Sequence, residues 1–115
     1  MQDFKNLKVW QLSREFVSDI YKVTETFPKH EFHSMTNQLR RASYSICANV
    51  SEGSAKGNKE FARYLSISAG SIKECECFLL LAKDLNYISE EQHKELNQKL
   101  EIIGKMNNKL MKTLN

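Results

Sequence analysis

Pro28 is the only proline in the chain, and only four glycines accompany it. With so few breaks available, long helices are the expected outcome. The residues before Pro28 repeat apolar positions at three- and four-residue spacing, the period of a helix rather than a strand. Trp10, Ser13, Val17, Ile20, Tyr21, Thr24 and Phe27 fall on one such stripe, flanked by Phe16 and Val23. This predicts a first helix over 4–27. Asp3 caps it, and Pro28 ends it, because the residue before a proline is pushed out of helical geometry.

The second helix is expected over 34–53, with Met35, Leu39, Ala42, Ile46 and Val50 as its apolar stripe and Gly53 as a left-handed C-cap. The third runs over 58–86, with Asn58 as its N-cap. It carries two stripes: Phe61, Leu65, Ser68, Ile72, Cys75 and Leu79, then Tyr64, Ile67, Ser71, Phe78 and Leu85 beside them. Together they exceed the roughly 100° arc of a simple surface helix. This helix is therefore either central or covered twice, once by its own bundle and once by a partner. The fourth runs over 89–113. Ser89 and Gln92 form a capping box, and Leu96, Leu100, Ile103, Leu110 and Leu114 form one stripe. Short loops join antiparallel neighbours. The expected fold is all-α: an antiparallel up-down-up-down four-helix bundle, forming a single domain over 1–115. A chain of 115 residues can bury roughly two-thirds of its unfolded surface, so it needs no disulfide or metal to fold.

The same residues exclude several function classes. The longest apolar run, Phe78–Ala82, is far short of the roughly 20 residues of a membrane span. No apolar run follows the first lysines, so no signal peptide is expected. Three cysteines, an odd count, suit a reducing compartment. A cytoplasmic protein without a membrane partner is the expectation. Cys75 and Cys77 point roughly 200° apart on a helix and cannot share a metal without unwinding it. His30, His33 and His93 gather at one end of such a bundle, with Glu31 and Glu90 nearby. They read as exposed polar residues near loops, not as the three or four converging ligands a metal needs. No glycine-rich phosphate loop or nucleophile–base pair is present. The sequence points to no catalytic, cofactor or metal site.

Charge offers more. In an alternating bundle the start of helix 1, the turn between helices 2 and 3, and the end of helix 4 meet at one pole. Lys5, Lys8, Lys56, Lys59, Arg63, Lys105, Lys109 and Lys112 collect there, opposed by Asp3, Glu52 and Glu60. Eight cations against three carboxylates leave +5 at this pole, on a chain whose formal charge is +3. Such a surface suits nucleic-acid phosphates, with salt-sensitive and poorly sequence-specific binding. It suits solubility equally well. In helix 2, Arg41, Ser45, Asn49 and Glu52 share a second face within roughly 80° of arc. Carrying both charges and an amide, that face suits hydrogen bonds to neighbouring helices or across a subunit seam. Gly70 sits mid-helix, where glycine costs about 1 kcal/mol relative to alanine. Close approach of another helix, in the bundle or across an oligomer seam, would offset that loss.

Several segments together resemble a known family. They are Phe4–Gln11, Ile20–Tyr21, Thr26–Pro28, Gln38–Ala42, Ser45–Ile46, Ala48–Asn49, Glu52–Gly53, Glu60–Phe61, Ala69–Ser71 and Leu81–Ala82. They look like the bacterial four-helix-bundle proteins encoded by 23S rRNA intervening sequences, whose superfamily includes the accessory variability proteins of diversity-generating retroelements. The resemblance covers the chain up to Asn86. It implies a barrel-like homopentamer, non-enzymatic and basic, suspected of binding RNA or DNA. In the retroelement branch it implies association with a reverse transcriptase. Cys47 stands where the family commonly has proline, and Ser43 and Ser51 where it has alanine. Two functions from different classes follow: a homo-oligomeric nucleic-acid-binding protein, or a protein-interaction adaptor whose basic surface serves solubility. An enzyme or metal protein is the third.

Overall fold

A computed structural model describes residues 3–114. Four helices run α1 Lys8–Thr24, α2 Asn37–Ser54, α3 Asn58–Asp84 and α4 Glu90–Thr113. No strand occurs among the described residues. Each helix packs against the next and α4 returns to α1, as expected of an up-down-up-down bundle. α3 has 27 residues, which at about 1.5 Å per residue span roughly 40 Å. It therefore sets the long axis of a body measuring 42 × 24 × 20 Å.

The core forms where the four apolar stripes converge. Phe16, Ile20, Leu39, Ile46, Leu65, Leu79, Leu100 and Ile103 are fully buried. The expected stripe of α2 is buried in full, as is the first stripe of α3. In α1 the stripe is rotated from its expected position. Val9, Ser13, Phe16, Ile20 and Thr24 face inward, while Trp10 and Val17 are half-buried and Tyr21 is exposed. α2 and α3 make the most extensive contact in the bundle, and α1 and α4 the least extensive of the four neighbouring pairs. A Lys99–Asp19 ion pair at 2.8 Å straps that looser seam.

The ends depart from expectation in several places. Asp3 caps a short 3-10 turn, Phe4–Asn6, by accepting from the Lys5 amide. Leu7 is then extended and buried, so α1 starts at Lys8 rather than Phe4. Its other end comes three residues early. The Thr24 hydroxyl donates to the Ile20 carbonyl at 2.6 Å, and Phe27 turns inward before Pro28. The entry to α2 is a 3-10 turn, Lys29–Glu31, followed by a π-helical turn, Phe32–Thr36, in which Ser34 leaves helical geometry.

Gly53 is not a left-handed cap. It lies inside α2, buried, and no glycine of the described chain has positive φ. α3 is capped by the extended Gly57 backbone, so Asn58 is its first residue and not its N-cap. It ends two residues before the expected boundary, at Asp84, because Asn86 adopts φ 63°. That turn lets the Tyr87 amide donate to Ala82 at 2.8 Å and the Asn86 amide to Lys83 at 3.0 Å, a Schellman closure. The capping box of α4 is as expected: Ser89 accepts from the Gln92 amide at 3.0 Å, and the Ser89 amide donates to Gln92 at 2.9 Å.

Candidate nucleic-acid interface

The antiparallel order brings the start of α1, the α2–α3 turn and the end of α4 to one end of the bundle. Leu7, Lys8 and Val9 share a groove with Met106, Lys109, Leu110 and Thr113, which places the first and last helices side by side there. The Asn107 amide donates to the Leu65 carbonyl at 2.9 Å, placing the late part of α4 against the early part of α3. Lys5, Lys8, Lys56, Lys59, Arg63, Lys105, Lys109 and Lys112 are all exposed.

The three acids of this end have other partners. Asp3 accepts from the Lys5 backbone. Glu52 accepts from the Tyr64 hydroxyl at 3.0 Å. Glu60 accepts two bonds at 3.3 Å from the Arg63 guanidinium. Those bonds and the Arg63 charge, aided weakly by Lys56 and Lys59, hold the Glu60 carboxyl below the usual carboxylate range. Arg63 is thus committed to Glu60, and its guanidinium lies 5.1 Å over the Tyr64 ring. The seven lysines make no ion pair among the described residues.

The residues read as a second face of α2 divide into two groups. Ser45 accepts from the Ser71 hydroxyl at 2.9 Å and from Asn49 at 3.0 Å. With Glu52 and Tyr64 they form a polar seam between α2 and α3 within the chain. Arg41 is exposed and has no side-chain partner among the described residues. Gly70 is also exposed, and a Cβ there would meet nothing within 4 Å. Packing within the bundle therefore does not require a glycine at this position. Ile67, Cys77, Leu81 and Leu85 are exposed on the same outer side of α3, with the exposed Glu74 among them.

An arginine–aromatic arrangement on α1 and α2 was not legible in the apolar spacing. The Arg14 guanidinium lies 5.5 Å from the Trp10 ring centre, and Arg40 lies 4.5 Å from that of Tyr21. The signal was present as Trp10 and Arg14 one helical turn apart, but Trp10 and Tyr21 read as core. Elsewhere the histidines and cysteines stay dispersed. His33 stacks edge-on against Phe32 at 4.9 Å. No group of three or more potential metal ligands comes together among the described residues. Burial, then the charges of Glu74 and Glu76, push the Cys75 thiol up to about 12. It is a core hydrophobe rather than a nucleophile. No helix is long and apolar enough to cross a membrane among the described residues.

No curated protein matches the chain significantly. A crystal structure of a protein of unknown function from the S23 ribosomal protein family of Bacteroides thetaiotaomicron is similar, with 26% identity and a TM-score of 0.84. The match covers 90% of this chain and 98% of that one. The model of the 23S rRNA-intervening sequence protein family matches residues 5–109, and the chain belongs to that family.

Proposed function

We propose that this is a non-enzymatic, cytoplasmic homo-oligomer that holds RNA or DNA by its phosphates on the lysine pole. The assembly is the pentamer the family resemblance implies. One observation carries this reading: every acid at the pole is engaged by another group, leaving seven exposed lysines without a carboxylate partner among the described residues. Lysine is a point charge suited to phosphate oxygens but not to reading base edges. The surface therefore favours backbone binding without sequence preference.

The uncovered strip on α3 supports self-association. Exposed apolar side chains grouped on one helix face suit contact with another copy, and the open space at Gly70 lets another backbone approach. A closed ring of identical copies would repeat the pole, and avidity would make a modest patch effective. Light scattering on the eluting protein should give a mass several times 13.4 kDa. Duplex RNA should bind at low salt, and Lys105, Lys109 and Lys112 changed together to glutamate should abolish that binding. A clean monomer at micromolar concentration overturns the oligomer. Intact binding by the triple variant overturns the pole. No affinity at low salt would leave the lysines a solubility role and favour an adaptor.

A further inference from the structure

The arginine–aromatic arrangement starts beside the lysine pole, where the half-buried Trp10 packs on the core and meets the Phe4 ring edge-on at 4.9 Å, and runs away from the pole toward the exposed Tyr21 and Tyr44. On α1, Trp10, Arg14, Val17 and Tyr21 follow one another at spacings of four, three and four. On the antiparallel α2, Arg40 reaches the far end of α1: its Nε donates to Thr24 at 2.8 Å. Arg14 sits near Cys47, close enough to oppose electrostatically the upward push that burial gives that thiol. Tyr44 lies between Arg40 and Cys47 on α2, so it falls midway along the α1 row. Tyr44 is 44% exposed and Tyr21 39%. Trp10 to Tyr21 spans roughly 16 Å at the helical rise.

Arg14 and Arg40 make no ion pair with any carboxylate among the described residues. Glu15 lines a hollow together with Trp10, Gln11, Arg14 and Ser18. The face thus offers guanidinium groups without a carboxylate partner, each lying over an aromatic ring, and the exposed Tyr44 ring between them. That chemistry complements a polymer combining π-faces with negative charge, because bases stack on aromatic rings and arginine planes while arginine also meets phosphate. A duplex keeps its bases stacked inside and cannot use such rings.

We infer that the α1–α2 face binds single-stranded nucleic acid, with bases stacking on Tyr44 and Trp10 and phosphates meeting Arg14 and Arg40. This rests on the nucleic-acid reading above and adds a second surface with a different preference: duplex and single strand share the lysine pole, and only the single strand engages the α1–α2 face.

Trp10 is the only tryptophan and serves as the probe. A short oligouridylate should quench its fluorescence, and a duplex RNA of the same length should not. Tyr44→Ala should weaken oligouridylate binding about tenfold, in keeping with the loss of one base stack, and leave duplex binding unchanged. Tyr44→Phe, which keeps the ring, should restore it. Duplex binding with no oligouridylate quenching overturns the face and leaves the pole standing. So does equal loss of duplex and single-strand binding in Tyr44→Ala. A change of oligomer mass at unchanged oligouridylate affinity assigns the face to a second copy and overturns the inference. Absence of any nucleic-acid binding overturns both readings.

Discussion

Gly53 packs against Tyr64 so tightly that a methyl group on the glycine would lie 2.6 Å from the tyrosine Cβ and 2.9 Å from the Phe61 ring. The Cβ of Tyr64 is fixed to its backbone, so α2 and α3 would have to move apart to admit it. Gly53→Ala should destabilise the protein by about 1–3 kcal/mol, the usual range for overpacking. Urea denaturation should show a lower midpoint at an unchanged slope. Gly70→Ala is the opposite case. Open space surrounds that position, so the better helix former should stabilise the protomer by up to about 1 kcal/mol.

The strip beside Gly70 bears on assembly. Ile67 and Leu81 are 43% and 42% exposed in the protomer, so charging them leaves the core untouched. Ile67→Asp with Leu81→Asp should reduce the mass in light scattering toward 13.4 kDa and keep the far-ultraviolet circular dichroism of a folded bundle. An unchanged mass would overturn this strip as a contact between copies.

How far the sequence was legible depends on the kind of signal. Ser89 and Gln92 carry their geometry within one turn, so the capping box could be read directly. Gly53 could not, because a C-cap and a close helix crossing both call for glycine. Only the position of Tyr64 across the α2–α3 contact distinguishes them. Trp10 and Tyr21 have the right spacing for a core stripe. A helix stripe has two flanks, however, and Phe16 and Ile20 take the centre. At the Phe32–Thr36 turn Glu31 accepts from the Met35 amide and from the Tyr87 hydroxyl, and no local pattern encodes the second of these contacts. The lysines could be assigned to one end from topology alone. That Glu52 and Glu60 would be engaged by Tyr64 and Arg63 could not.

Asn107 is fully buried in α4. Its Nδ2 donates to the Leu65 carbonyl, but its Oδ1 has no partner. A buried acceptor without a donor loses its hydration and gains nothing for it. Asn107→Leu removes that acceptor at similar size, and should change stability by less than about 1 kcal/mol or raise it. Asn107→Asp places a carboxyl in the same dry site. It should destabilise by more than about 2 kcal/mol at neutral pH. Thermal melts of the two variants side by side would show the ordering.

Glu31 and Tyr87 tie the entry of α2 to the turn before α4 through a 2.7 Å hydrogen bond from the tyrosine hydroxyl. That bond is the main cause holding the Glu31 carboxyl below its ordinary 4.5, and it holds the Tyr87 phenol above its ordinary 10.0. A lowered carboxyl contributes stability above the unfolded value, and loses it as pH falls through the folded one. A raised phenol contributes below its unfolded value and loses it as pH rises. The stability gap between the native protein and Tyr87→Phe should therefore be flat from about pH 5 to 9. It should narrow as pH falls below 4.5 and again as pH rises above 10.0. Denaturant titrations across the range test this, and a gap that widens in acid would exclude the bond as its source.

The lysine pole makes a quantitative prediction about salt. Each phosphate neutralised on a duplex releases condensed counterions, and contributes about −0.9 to the slope of log affinity against log salt. Lys105, Lys109 and Lys112 are exposed and unpaired among the described residues, so each is free to meet a phosphate. Changing all three to alanine, rather than to glutamate, removes contacts without adding repulsion. For one protomer on duplex RNA, the slope should become shallower by up to about 3. Lys94 serves as the control, because it is exposed on α4 near the opposite end of the bundle, and Lys94→Ala should leave the slope unchanged. If the triple variant bound more weakly with the native slope, the three lysines would be supporting the fold of the pole rather than contacting phosphate.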